Sequence, residues 1–216
     1  MAVGAFVRKC FGPFEPQVAD AYRSLFIDLD DWTTQVKTVC PAPRRILEVG
    51  CGEGAMTERL AIAFPKAHID AIDITPRLGR LYSGDSSRVT FREEFVEDRL
   101  AASPEPYDLI LLVDVMHHVP QQAQESLLSS IRELLGPGGV FAMKDVERSF
   151  APIYWIAYFS DRFITGDEVR FKTPSETGAQ LSEIFGEKHV HRGAHVRPWR
   201  SNYSFFVSQP ALGAAE

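Results

Sequence analysis

Ile46-Leu-Glu-Val-Gly50-Cys51-Gly52-Glu53-Gly54 is the stretch on which the reading of this chain turns. An apolar run suited to a buried strand meets three glycines in alternate positions. Glycine lets the backbone turn sharply and leaves no Cβ between the backbone and a bound molecule. The stretch therefore reads as a strand, a tight turn and the start of a helix, with room for a ligand at the turn. Gly50, Gly52 and Ala55 also satisfy the G-x-G-x-x-G/A pattern of dinucleotide-binding turns. Asp73 follows Gly50 by 23 residues, where a ribose-binding acid is expected. A carboxylate there accepts both ribose hydroxyls and repels a 2′-phosphate.

Outward from this turn the chain alternates. Strands are expected at 45–50, 68–73, 88–91, 107–114 and 140–145, with helices at 53–64, 76–82 and 121–135. Tyr107-Asp-Leu-Ile-Leu-Leu-Val-Asp114 is nearly all apolar, as a central strand covered on both faces should be. Gly136-Pro-Gly-Gly139 ends the helix before the fifth strand. Repeated βα units imply a parallel sheet with helices on both faces. Before the sheet, residues 1–43 read as a helical lead-in that can act as a lid. It holds two amphipathic helices, the second capped by Asp30 and Asp31. The main domain is expected over 44–208, with an aromatic-rich helical region at 150–186 and a flexible tail at 209–216. Two late alternating segments, near 188–196 and 203–207, suit a hairpin, and their His189, His191 and His195 would share one face of a strand.

The chain has 216 residues, 45% hydrophobic and 24% charged, which is ordinary globular composition and argues against disorder. Its net charge of −6 disfavours a nucleic-acid partner. No apolar run approaches the length of a membrane span. The N-terminus is interrupted by charge too early for a secretory signal. The three cysteines form no metal-binding spacing. A cytoplasmic protein without a structural metal is the expectation, and a homodimer is compatible with it.

Glu48 separates two cofactor classes. A pyrophosphate gains nothing from a carboxylate two residues before the first glycine, and Glu53 at the helix start opposes a phosphate too. A cofactor bearing a sulfonium and an ammonium group is compatible with both. The chain resembles the class I S-adenosylmethionine-dependent methyltransferases. The resemblance is carried by Ile46–Gly54, Ala71-Ile-Asp-Ile74, Tyr107-Asp-Leu-Ile-Leu-Leu-Val-Asp-Val-Met-His-His-Val119 and Leu134-Leu-Gly-Pro-Gly-Gly-Val-Phe141, in the family's order and spacing. It implies a Rossmann-like, doubly wound seven-stranded sheet, mostly parallel, with an antiparallel last strand.

The same resemblance implies the site. Gly50, Cys51 and Gly52, with Glu48, lie toward the methionine part of S-adenosylmethionine, and Asp73 holds the ribose. Ile74 packs on the adenine, and Glu94 or Phe95 meets its amino group. Asp114 and Val115 face the cofactor from the fourth strand. The product would be S-adenosylhomocysteine. A hydroxyl acceptor wants a general base, for which His117, His118 and Asp145 are the candidates. Tyr22, Tyr154, Trp155, Tyr158 and Arg162 are candidates for a hydrophobic small-molecule acceptor such as a phenol, polyketide, quinone precursor or lipid-like metabolite. Transfer to carbon or nitrogen, a nicotinamide-dependent oxidoreductase, and a binding protein without methyl transfer are the alternatives.

Overall fold

The computed structural model describes residues 15–148 and 169–210. Seven strands form one sheet in the order β3-β2-β1-β4-β5-β7-β6. They are β1 (Arg45–Val49), β2 (His68–Asp73), β3 (Val89–Glu93), β4 (Tyr107–Val113), β5 (Leu135–Val146), β6 (Val190–Arg192) and β7 (Asn202–Ser208). β1 to β5 run parallel, and β7 is antiparallel to both β5 and β6. The strand order reverses between β1 and β4. Open α/β sheets bind ligands at the carboxyl ends of the strands beside such a switch point.

The helices among the described residues are α1 (Glu15–Ser24), α2 (Leu29–Val39), α3 (Ala55–Ala63), α4 (Val96–Ala101), α5 (Gln121–Leu134) and α6 (Pro174–Phe185). The sheet buries both faces, so each central strand feeds two cores. Leu47, Ile110 and Leu112 pack under α5 and α6 with Leu128, Ile131, Leu181 and Phe185. Ile46, Ile69, Leu109 and Leu111 pack under α2 and α3 with Trp32, Val36, Met56 and Leu60. Neighbours in sequence thus face opposite layers, as the strand period of two requires. Trp32 is fully buried and stacks on Phe206 of β7, with ring centroids 5.5 Å apart. The second lead-in helix is therefore part of the core.

Several local expectations are corrected. Asp28, not Asp30 or Asp31, caps α2: its carboxylate accepts the N–H groups of both those residues, at 3.1 and 2.9 Å. Asp30 and Asp31 occupy the first turn, where negative charge suits the helix dipole. Residues 76–82 form turns instead of a helix. Gly79 has φ +65°, and its N–H goes to Gly52 O at 2.9 Å while Leu81 N–H goes to Glu53 O at 2.8 Å. Those donors are spent on the glycine turn, not on a helical ladder. α4 is a helix the sequence reading lacks. It is short, and Asp98 caps it by accepting Phe95 N–H at 3.3 Å. The Gly136–Gly139 run lies inside β5 as a bulge, where the pairing jumps from Tyr107–Leu135 to Leu109–Val140. The late histidines do not share a strand face. His189 sits in a 3₁₀ turn, His191 on β6, and His195 beyond the end of β6.

Candidate functional site

Gly50, Gly52 and Gly54 all have positive φ, at +79°, +50° and +93°, which explains the choice of glycine at each. Their surroundings differ. A Cβ on Gly50 would lie 2.2 Å from Val115 Cγ2, and one on Gly54 would meet Gly79 Cα and Tyr82 Cβ at 3.1 Å. These two glycines let parts of the protein close on one another. A Cβ on Gly52 would meet nothing within 4 Å. Gly52 is the glycine that leaves a cradle for a ligand, and Val115 is chiefly the packing partner of Gly50.

Asp73 ends β2 beside this cradle. Its Oδ2 accepts Gly52 N–H at 2.7 Å and its Oδ1 accepts Thr75 N–H at 2.9 Å. Each oxygen keeps a lone pair for a further donor. Ile74 and Phe95, at the ends of β2 and β3, are 63% and 59% exposed. Two large apolar side chains left in water beside an acid form a fitting seat for a flat, apolar ring carrying a sugar. Glu94 is drawn to Arg99, 3.5 Å away, so Phe95 is the more open of the pair. Cys51 turns its side chain inward. Burial, with Glu48 and Asp73 nearby, raises its thiol pKa, so the thiol stays protonated.

Glu48 is 2% exposed beneath the turn and accepts a 2.6 Å hydrogen bond from Thr57 Oγ1. Burial pushes its carboxyl up to about 8; the Thr57 bond opposes that and the Asp73 charge adds to it.

The end of β4 carries a second group of charges. Asp114 has a left-handed backbone, φ +54°, a conformation aspartate tolerates better than most residues. Both its carboxylate oxygens take Lys144 Nζ, at 2.7 and 2.8 Å, and Lys144 is fully buried. The 3₁₀ turn Met116–His118 follows, held by Gln124 Nε2 donating to Val119 O at 2.9 Å. From this turn His117 Nδ1 lies 2.5 Å from Asp145 Oδ1. Both side chains are buried. Burial tends to raise the Asp145 pKa, but the His117 charge and hydrogen bond, Val146 N–H and the Lys144 charge hold it below its ordinary value. Phe171 stacks on the His117 ring at 4.5 Å, and the His118 ring lies 4.2 Å away. Asp114, His117 and Asp145 each bring one polar atom within 4.8 Å of the others. The cation that the chain itself supplies there is Lys144.

The expected site residues thus fall into two groups at one sheet edge, on either side of the β1–β4 switch point. Asp145 is not an independent base candidate: its carboxylate partners His117. Tyr22 packs edge-on against Phe26, and Phe26 packs against Val146 and Phe171. A line of apolar rings therefore leads from α1 to His117. Tyr154, Trp155, Tyr158 and Arg162 lie outside the described residues. Sequence reasoning missed Lys144, Thr57, Phe26 and Phe171. Lys144 had a usable signal, because a lysine inside an apolar strand must find a buried partner. The described cleft lined by Lys37, Arg44, Lys66 and His68 lies at the amino ends of β1 and β2, the opposite edge of the sheet.

Two outcomes follow from this geometry. Gly50→Ala should destabilise the chain by about 1–3 kcal/mol through overpacking against Val115, on top of its φ strain. Gly52→Ala should lose only about 1 kcal/mol, for backbone strain. Urea unfolding of both variants measures the difference, and equal losses would contradict it. The raised Glu48 pKa means the folded state holds a proton that the unfolded chain releases near its ordinary value of 4.5. Stability should then fall as pH rises from about 5 to about 8. Glu48→Gln should raise the melting temperature at pH 8 and gain much less at pH 5. A gain independent of pH would contradict the assignment.

A family model described as "Methyltransferase domain" matches residues 21–198. The chain is 31% identical over 176 residues to a ubiquinone biosynthesis O-methyltransferase of Xylella fastidiosa, covering 76% of this chain and 70% of that protein. Among solved structures, a 1,6-didemethyltoxoflavin-N1-methyltransferase of Burkholderia thailandensis, with its substrate and S-adenosylhomocysteine bound, superposes with TM-score 0.65. That match has 18% identity and covers 96% of this chain and 88% of that one. Human N-acetylserotonin methyltransferase superposes with TM-score 0.64 at 17% identity, covering 91% of this chain and 56% of that one. The open cradle at Gly52, the ribose-type acid Asp73 and the apolar seat of Ile74 and Phe95 fit the cofactor of such enzymes. The chain belongs to the S-adenosylmethionine-dependent methyltransferases.

Proposed function

We propose that the chain methylates a hydroxyl oxygen of a hydrophobic small molecule, with His117 as general base and Asp145 as the group that orients it. The observation that carries this reading is the buried 2.5 Å contact between His117 Nδ1 and Asp145 Oδ1. A carboxylate on Nδ1 fixes the imidazole tautomer and steadies the imidazolium once it forms. With Nδ1 committed to Asp145, proton exchange with an acceptor falls to Nε2.

The bound cofactor supplies an activated methyl group on a positively charged sulfur. The chain's own residues do the rest. Gly52 and Asp73 hold the nucleoside, with Ile74 and Phe95 along the base. The ionised form of the Glu48 carboxyl beneath the turn would be favoured by the positive charge of a bound cofactor. As the acceptor oxygen takes the methyl group, its proton passes to His117. Stacking by Phe171 holds the imidazole plane, and the apolar cluster of Phe26, Val146, Val169 and Phe171 keeps water from the acceptor side. That cluster supports an apolar or aromatic acceptor, and the Xylella relative, an O-methyltransferase of ubiquinone biosynthesis, points toward oxygen. Free thiols at Cys40 and Cys51 suit a cytoplasmic setting. No helix among the described residues is long and apolar enough to cross a membrane.

His117→Ala should lower the methylation rate of a dihydric phenol such as catechol by about 10²–10⁴-fold, while S-adenosylmethionine affinity by calorimetry changes less than about threefold. Asp145→Asn should lose less, because it removes the orienting charge and not the base. A His117→Ala variant as fast as the native chain would contradict the reading.

A further inference from the structure

His117 and Asp145 do not account for all the charge at their end of the sheet. Lys144 is wholly buried on β5, next to Asp145 in sequence and across from Val113 of β4. It binds both oxygens of Asp114, and its charge is among the groups that lower the Asp145 pKa. Asp114 and Asp145 therefore present two carboxylates to one imidazole, with polar atoms within 4.8 Å of one another. Two unbalanced carboxylates, Asp145 buried and Asp114 partly exposed, would favour a proton on that imidazole. An imidazole that is always protonated takes no proton from an acceptor.

We propose that Lys144 is a positioning residue that keeps His117 in its basic form. Through its pair with Asp114 it cancels one of the two negative charges beside the imidazole. This rests on the reading of His117 as the base. Among the described residues, the other charged or titratable groups around the turn are His118 in the turn itself, Arg170 and Lys172 on the segment carrying Phe171, Tyr203 on β7, and Glu147 just past β5. Arg170 donates its backbone N–H to His117 O at 2.8 Å and its guanidinium to Gln121. Lys172 is held by Gln124 and Gln180, each at 2.5 Å. Tyr203 is joined to Thr177 at 2.7 Å. Lys144 donates to both oxygens of Asp114, so it is the cation matched to that carboxylate. The pair also holds the left-handed backbone of Asp114, and a purely structural role would end there.

The two roles separate by NMR titration of the His117 ring in the full chain, which needs no acceptor. The resonance is identified by its loss in His117→Gln. Lys144→Met should raise the His117 pKa by about one unit or more, a tenfold gain in proton affinity. The double variant Lys144→Met/Asp114→Asn removes both charges and should return it to within about half a unit of the native value. A structural role predicts no return, since the double variant lacks the pair as well. An unshifted His117 in Lys144→Met, or a double variant that stays shifted, would overturn the proposal. If Lys144→Met does not fold, Asp114→Asn decides alone: the His117 pKa should fall, and an unchanged value overturns the proposal. The base reading fails separately, through a His117→Gln variant that methylates catechol at the native rate whatever the titration gives.

Discussion

The Asp73 carboxylate is the joint on which the ligand edge of the sheet depends. It takes Gly52 N–H on one oxygen and Thr75 N–H on the other, which fastens the turn after β1 to the end of β2. Gly79 N–H and Leu81 N–H then bind the carbonyls of Gly52 and Glu53 from the next segment. The glycine turn is thus held from two sides before any ligand arrives. A turn already ordered loses little conformational freedom on binding. A glycine with nothing near its missing Cβ is left open at the centre, and that combination of fixed backbone and bare surface suits a nucleoside.

The charges around this edge are arranged by burial. Asp73 is partly exposed and keeps spare acceptor capacity. Glu48 is buried with one hydroxyl partner, so it holds a proton where an exposed carboxyl would not. Asp114 and Asp145 are each matched to a cation or potential cation, Lys144 and His117. Removing Asp114 would leave Lys144 as an uncompensated buried charge, which is far more costly than losing a surface ion pair. The two groups divide the work. On the proposed reading, the β1–β2–β3 ends hold the nucleoside and the β4–β5 ends manage a proton.

Much of this was legible in the sequence. The glycine turn, Asp73, the apolar β4 run and the His117-His118 pair each carry a local signature, and their order gave the sheet. The parts that were not legible depend on distant partners. Gly50 reads as a ligand-facing glycine until its missing side chain is seen to make room for Val115. Asp145 reads as a base candidate of its own until it is found on His117. Trp32 reads as one face of a lead-in helix, and only its stack on Phe206, from the far end of the chain, makes it core. Residues 76–82 have a helical pattern, but the Gly79 and Leu81 amides are claimed by the glycine turn. In each case a long-range contact overrode a sound local preference.

On the proposed reading, Asp73 and the Gly52 cradle bind S-adenosylmethionine. Isothermal calorimetry of S-adenosylhomocysteine with the native chain and with Asp73→Ala tests it most directly. The native chain should show a single site and the variant a loss of at least about tenfold, as expected for a charged acceptor to two hydroxyls. A native chain that does not bind, or a variant that binds equally well, would contradict it.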